Sequence, residues 1–184
     1  MSNIVVSRFN EENLLINQRF RENTGVGCIY GTPLTMNQFN PGEVVFVIEM
    51  NLSKNRIEGI GLVLNIVKTG PKYSMYNDYN YNRYLYCGKY RLDRNDIETI
   101  VIEGSNPDSD PINVVEVLDR ALFKGKSHMK RGSYFSRITD KLLSKFGLSC
   151  YKIQSEITQK FVDKFGITIV MDEINYELHG LDYK

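Results

Sequence analysis

The run Val44-Val45-Phe46-Val47-Ile48-Glu49-Met50 limits this chain's fold more than any other segment. Its apolar residues are nearly continuous rather than alternating, the pattern of a strand covered on both faces. The preceding Asn40-Pro41-Gly42-Glu43 is a strong turn: proline presets φ at the second position and glycine accepts φ > 0 at the third. Asn51 to Asn55 then has hairpin length and leads into a second strand, Arg56-Ile57-Glu58-Gly59-Ile60-Gly61-Leu62-Val63-Leu64-Asn65. Gly59 and Gly61 share one face of it. They leave room for a close backbone approach, a bend or a ligand, and the bend is the favoured reading.

The flanking segments sort by texture. Residues 1–24 read as a polar N-terminal extension, with a helix over Glu11 to Arg21 that turns Leu14, Leu15 and Ile16 inward without a strong cap. Gly27 to Gly31 reads as a short strand, and residues 25–104 as a β-rich core. The Pro/Asp/Ser loop from Ser105 to Pro111 opens a mainly helical part, 105–184, packed on that core as one unit. There, Asp110-Pro111 predicts a helix start, with Val114, Val115, Leu118, Ala121 and Leu122 on one stripe. Asp140–Phe146 and Ser155–Phe165 both close with Lys-Phe-Gly, which places a glycine just past the helix end and a cation in the last turn. Asp93 to Glu103 predicts a short helix then a strand, and Thr168 to Met171 a last strand. The expected class is α+β, with a small mixed or antiparallel barrel-like sheet and additional helices, mostly C-terminal.

Seven of the twelve tyrosines fall between Tyr73 and Tyr90, among Arg83, Lys89, Asn77, Asn80 and Asn82. Aromatic faces beside guanidinium and amide groups suit base stacking and phosphate contacts. The window predicts a hairpin, with Tyr73 to Tyr76, a turn at Asn77-Asp78 and a strand from Tyr81 to Leu92. Period-two alternation puts Tyr84, Tyr86 and Tyr90 on one face and Leu85 and Cys87 on the other. With Leu85 and Cys87 toward the core, the tyrosines are expected to face solvent or a partner. A second cluster, Lys124, Lys126, His128, Lys130 and Arg131, interrupted by Gly125 and followed by Gly132, suits phosphate contacts. Tyr81, Arg83, Tyr84, Tyr86, Tyr90 and these five residues are the candidate nucleic-acid contacts.

Bulk properties exclude more than they select. The 184 residues carry a net charge of +1, so affinity for a polyanion must come from local clustering. Cys28, Cys87 and Cys150 have no ligand spacing, and with only two histidines no structural zinc site is expected; buried free thiols are the simpler reading. No signal peptide or membrane span is legible, and no hydrolase, zinc-protease, redox or P-loop motif occurs. Asp93, Asp96 and Glu98 match a magnesium-dependent nuclease site weakly; acidic residues at a helix start are the plainer explanation. No catalytic residue, metal or cofactor is expected.

Gly27-Cys28-Ile29-Tyr30-Gly31, Phe39-Asn40-Pro41-Gly42-Glu43-Val44-Val45-Phe46-Val47 and Arg56-Ile57-Glu58-Gly59-Ile60-Gly61-Leu62-Val63 together resemble PUA-like domains, the EVE and YTH-type members above all. The resemblance spans residues 25–92 and implies a pseudo-barrel that binds RNA or a modified base, with Tyr30, Thr32 and Asn37 as pocket candidates. Such pockets commonly use tryptophan, which this chain lacks. Asn80-Tyr81-Asn82-Arg83-Tyr84 and Leu122 to Gly132 also resemble an uncharacterised protein family of large double-stranded DNA viruses. That implies an intracellular setting in host cytoplasm or nucleus, or packaging in a virion. The leading expectation is a non-catalytic nucleic-acid-binding module. The alternatives are a structural or homodimeric virion protein and a metal-dependent nuclease or base-modifying enzyme.

Overall fold

The computed structural model describes residues 2–69, 74–103, 110–123, 134–171 and 176–179. In chain order they form β1 (Ile4–Phe9), α1 (Glu11–Thr24), β2 (Cys28–Thr32), β3 (Val44–Asn51), β4 (Arg56–Leu64), a 3₁₀ turn (Tyr79–Asn82), β5 (Tyr84–Gly88) and β6 (Tyr90–Asp93). There follow α2 (Arg94–Glu98), β7 (Val101–Ile102), β8 (Ile112–Asn113), α3 (Val114–Phe123), β9 (Ser136–Arg137), α4 (Asp140–Leu143), a 3₁₀ turn (Ser144–Phe146), α5 (Cys150–Phe165), β10 (Thr168–Met171) and β11 (Tyr176–His179). The class is α+β.

The doubly covered strand is β3, every residue of which is buried. It lies mid-sheet in the order β6-β4-β3-β1-β9, parallel to β1 and antiparallel to β4. Alternation then builds a core on each face. Val44, Phe46, Ile48 and Met50 join Ile4 and Val6 under Leu118 of α3 and Ile153, Ile157 and Phe161 of α5. Val45 and Val47 join Val5, Tyr30 and Tyr86 on the other face, where Leu14 and Ile16 of α1 close over them. The outer layer on that side includes the two-stranded β2–β5 ribbon. Among the described residues the main sheet ends at β6 and β9, with no closed barrel.

Several local expectations are corrected. Residues 4–9 are not peripheral: β1 is an inner strand between β3 and β9. The parallel β1–β3 pair requires a crossover, and α1 and β2 lie in the connection. Helix α1 does have a cap, since the Asn10 side chain accepts from the Asn13 N–H at 2.7 Å. Leu15 is 44% exposed, and the buried residue of α1 is Asn17. Helix α3 starts at Val114 rather than at Asp110-Pro111, because the Asn113 side chain caps Val115 and Glu116. Helix α5 starts at Cys150, capped by Ser149, well before Ser155. Both Lys-Phe-Gly ends hold: Gly147 and Gly166 take left-handed φ of 71° and 64°. The predicted elements over 93–103 and 168–171 are α2, β7 and β10.

The tyrosine hairpin is the largest correction. Residues 79–82 form a 3₁₀ turn, β5 pairs with β2, and β6 pairs with β4 in the main sheet. The expected single strand from Tyr81 to Leu92 is therefore three elements facing different surroundings. Tyr73 lies outside the described residues.

Candidate functional site

A cleft of about 480 Å³ opens where the C-terminal end of β1, the first turn of α1 and the segment 76–81 converge. That volume lies within the range of small-molecule sites. Strand β1 ends in Ser7, Arg8 and Phe9, and Asn10 then caps the helix, so Glu12 and Asn13 stand at the rim. The opposite wall is aromatic. Tyr81 packs edge-on against Tyr76 (centroids 6.2 Å apart, 73° between planes) and against Tyr134 (5.9 Å, 77°). Asn77 and Asp78 complete the lining.

Side-chain hydrogen bonds hold that wall in place. Asn82 Oδ1 accepts from the N–H groups of Met75 and Tyr76 at 2.9 and 2.8 Å, and Asn82 Nδ2 donates back to the Tyr76 carbonyl at 2.5 Å. Asp78 Oδ1 accepts from the Asn80 N–H at 3.0 Å and caps the turn that carries Tyr81. Gly31 of β2 lets the wall approach, since a Cβ there would lie 2.1 Å from the Tyr81 carbonyl oxygen. Tyr76 is buried beside Asn17, and burial pushes its hydroxyl pKa up to about 12. Tyr81 remains 38% exposed, so its ring stays accessible.

Among the described residues the lining offers two carboxylates, one guanidinium, several amides and three phenol rings, with no imidazole, thiol or ammonium. Its carboxylates outnumber its cation, which disfavours a phosphate inside the cleft and suits a flat neutral ligand with N–H donors.

Of the predicted contacts that lie among the described residues, Tyr81 is the one that lines this cleft. Tyr86 is fully buried, and its hydroxyl accepts from the Met36 N–H at 2.8 Å, which corrects the expectation that it faces solvent. Leu85, on the other face of β5, is also fully buried, so both sides of that strand are covered. Tyr84 is half-buried with the Arg83 guanidinium 5.6 Å above its ring. Tyr90 packs on Phe165 of α5, centroids 4.9 Å apart. Lys124, Lys126, His128, Lys130 and Arg131 lie outside the described residues.

The pocket candidates do not converge either. Tyr30 and Thr32 are buried, Tyr30 donating to Glu49 and Thr32 to the Leu34 carbonyl, whereas Asn37 is exposed. Gly31, between the two buried residues, is what reaches the cleft. Asp93 and Asp96 form the reciprocal capping box of α2, and Glu98 pairs with Arg94. Among the described residues no group of three or more His, Cys, Asp or Glu could hold a metal ion, and no helix is long and apolar enough to cross a membrane. Cys28 and Cys150 are buried and Cys87 half-buried, and none of the three is in a disulfide.

Sequence reasoning missed Arg8, Glu12, Asn13, Tyr76, Asp78 and Tyr134. The Asn10-Glu11-Glu12-Asn13 cap after an apolar run was a usable signal for the helix start. Nothing local marks Tyr134, which is 53 positions from Tyr81. No protein-family model, curated protein or solved structure matches the chain.

Proposed function

We propose that this protein is a non-catalytic nucleic-acid-binding module whose cleft accepts an unpaired base. The observation that carries this reading is the Tyr76–Tyr81–Tyr134 wall, with Tyr81 accessible, facing a rim of amides and carboxylates. A base stacked on an aromatic side chain contributes on the order of 1–3 kcal/mol, and its edge is then open to polar side chains. The resemblance of residues 25–92 to PUA-like domains agrees with an RNA or modified-base ligand, and the viral resemblance with a host-cell or virion setting. In this reading Lys124, Lys126, Lys130 and Arg131 neutralise phosphates beside the bound base. Asp93 and Asp96, the residues a nuclease would need, are engaged in capping α2.

Fluorescence anisotropy with labelled single-stranded RNA, single-stranded DNA and duplex at low salt tests the reading. A single strand is expected to bind with micromolar or tighter affinity, and Tyr81→Ala to weaken it about tenfold or more. Failure of every probe at low salt sinks the proposal. A concentration-independent dimer by light scattering, without oligonucleotide binding, would favour a homodimeric structural role instead.

A further inference from the structure

We infer that the cleft selects guanine, through the carboxylate of Glu12. This rests on the preceding reading that the cleft takes an unpaired base. The selecting power of a lining lies in groups that only accept or only donate, because an amide can turn either edge to any base. Three asparagines line the cleft and discriminate little by themselves. The acceptor-only side chains are Glu12 and Asp78, and the donor-only one among the described lining residues is Arg8. Asp78 is already engaged, since its Oδ1 accepts from the Asn80 N–H. Glu12, exposed in the first turn of α1, forms no ion pair with any described cation.

A carboxylate presents two acceptor oxygens side by side. Guanine alone among the four common bases answers with two adjacent donors on its pairing edge, N1–H and the N2 amino group. Adenine and cytosine set an amino group beside a ring-nitrogen acceptor, which would face the second oxygen and be repelled. Uracil and thymine flank their single N–H with two carbonyl oxygens. A site built around acceptors thus sets a lone pair of the carboxylate against a second acceptor with every base but guanine, which disfavours those bases. Among the described lining residues carboxylates outnumber cations, which favours entry of the base over the backbone phosphates.

The test measures binding of uridine-only single-stranded RNA carrying one central guanine, inosine, adenine or cytosine. The guanine strand is expected to bind about tenfold tighter than the adenine or cytosine strand. Inosine, which keeps N1–H and lacks the amino group, should fall between them. Glu12→Gln should shrink the guanine-to-adenine ratio to within about threefold, whereas Tyr81→Ala should weaken all strands together. Because Glu12 is an exposed residue of a surface helix, its glutamine variant is expected to fold as the parent does. Binding of all strands without preference, or a guanine preference that survives Glu12→Gln, overturns the inference and leaves the binding module standing. If no strand binds at all, both fall.

Discussion

Glu49 stands in the middle of β3 with 1% of its surface exposed, a charge inside the most apolar strand of the chain. Arg91 of β6 meets it with Nη2 2.6 Å from Oε2 and Nε 3.0 Å from Oε1, and the Tyr30 hydroxyl donates to Oε1 at 2.8 Å. Burial opposes the charged guanidinium, but Glu49 outweighs it and raises the Arg91 pKa; burial, then Glu49, pushes the Tyr30 hydroxyl well above its usual range. Gly59 and Gly61 exist for this cluster. A Cβ at Gly61 would lie 2.1 Å from the Tyr30 hydroxyl oxygen, and one at Gly59 2.3 Å from Arg91 Nη2. Their spacing marks room for side chains from neighbouring strands, and the register also shifts beside Gly59, where Glu49 faces Gly59 but Met50 faces Ile57. Breaking such a pair leaves a buried charge alone, so Glu49→Leu is expected to cost about 3–5 kcal/mol in urea unfolding, and the double variant Glu49→Leu/Arg91→Met to recover most of it. Gly61→Ala should cost at least about 2 kcal/mol by overpacking.

The same scale gives a pH dependence. Burial raises the Tyr76 pKa from 10.0 to about 12 in the folded protein, while the unfolded chain titrates near the ordinary value. Between those values the unfolded state has lost the proton that the folded state retains, so stability falls as pH rises. The contribution is fully present below about pH 10 and declines toward pH 12, by on the order of 2 kcal/mol. Urea midpoints across that window should drop less for Tyr76→Phe than for the parent.

At the scale of elements, the binding wall depends on Asn82, a residue of the 3₁₀ turn that does not itself line the cleft. Asn82 fastens residues 75 and 76 to the 3₁₀ turn through three hydrogen bonds. Asn82→Ala is therefore expected to weaken oligonucleotide binding as Tyr81→Ala does, by releasing the ring from its position. Helix α2 supplies the contrast. Asp93→Ala removes one half of its capping box and should cost about 1 kcal/mol of stability with no change in oligonucleotide affinity. The C-terminal ends at Gly147 and Gly166 were legible, because a glycine acts within a few residues, whereas the starts of α3 and α5 were misplaced. The parallel pairing of β1 with β3 was not legible: it joins Ile4 to Phe46, and nothing in either run states its partner.

For the whole molecule, a net charge of +1 supplies almost no general attraction for a polyanion. Salt dependence of binding then reports local cations. Replacing Lys124, Lys126, Lys130 and Arg131 together by alanine should make the slope of log affinity against log salt shallower by about 2–3, as measured by anisotropy from low to moderate salt. An unchanged slope would remove that segment from the interface.

Some properties of this protein follow from sequence because their causes are local. A continuous β-branched run launched by a Pro-Gly turn favours an inner strand, as β3 is, and a glycine after the last helical turn ends a helix cheaply, as Gly147 and Gly166 do. The tyrosine window shows where locality stops. Alternation assigned Tyr86 to solvent, but β5 is covered on both sides, and a period-two pattern cannot report a second cover. The cleft is assembled from Phe9, Gly31, Tyr81 and Tyr134, and Gly59 and Gly61 answer to Tyr30 and Arg91. Tertiary structure decided these features because each is a contact between groups far apart in the chain, chosen by how the layers pack and not by any residue's neighbours in sequence.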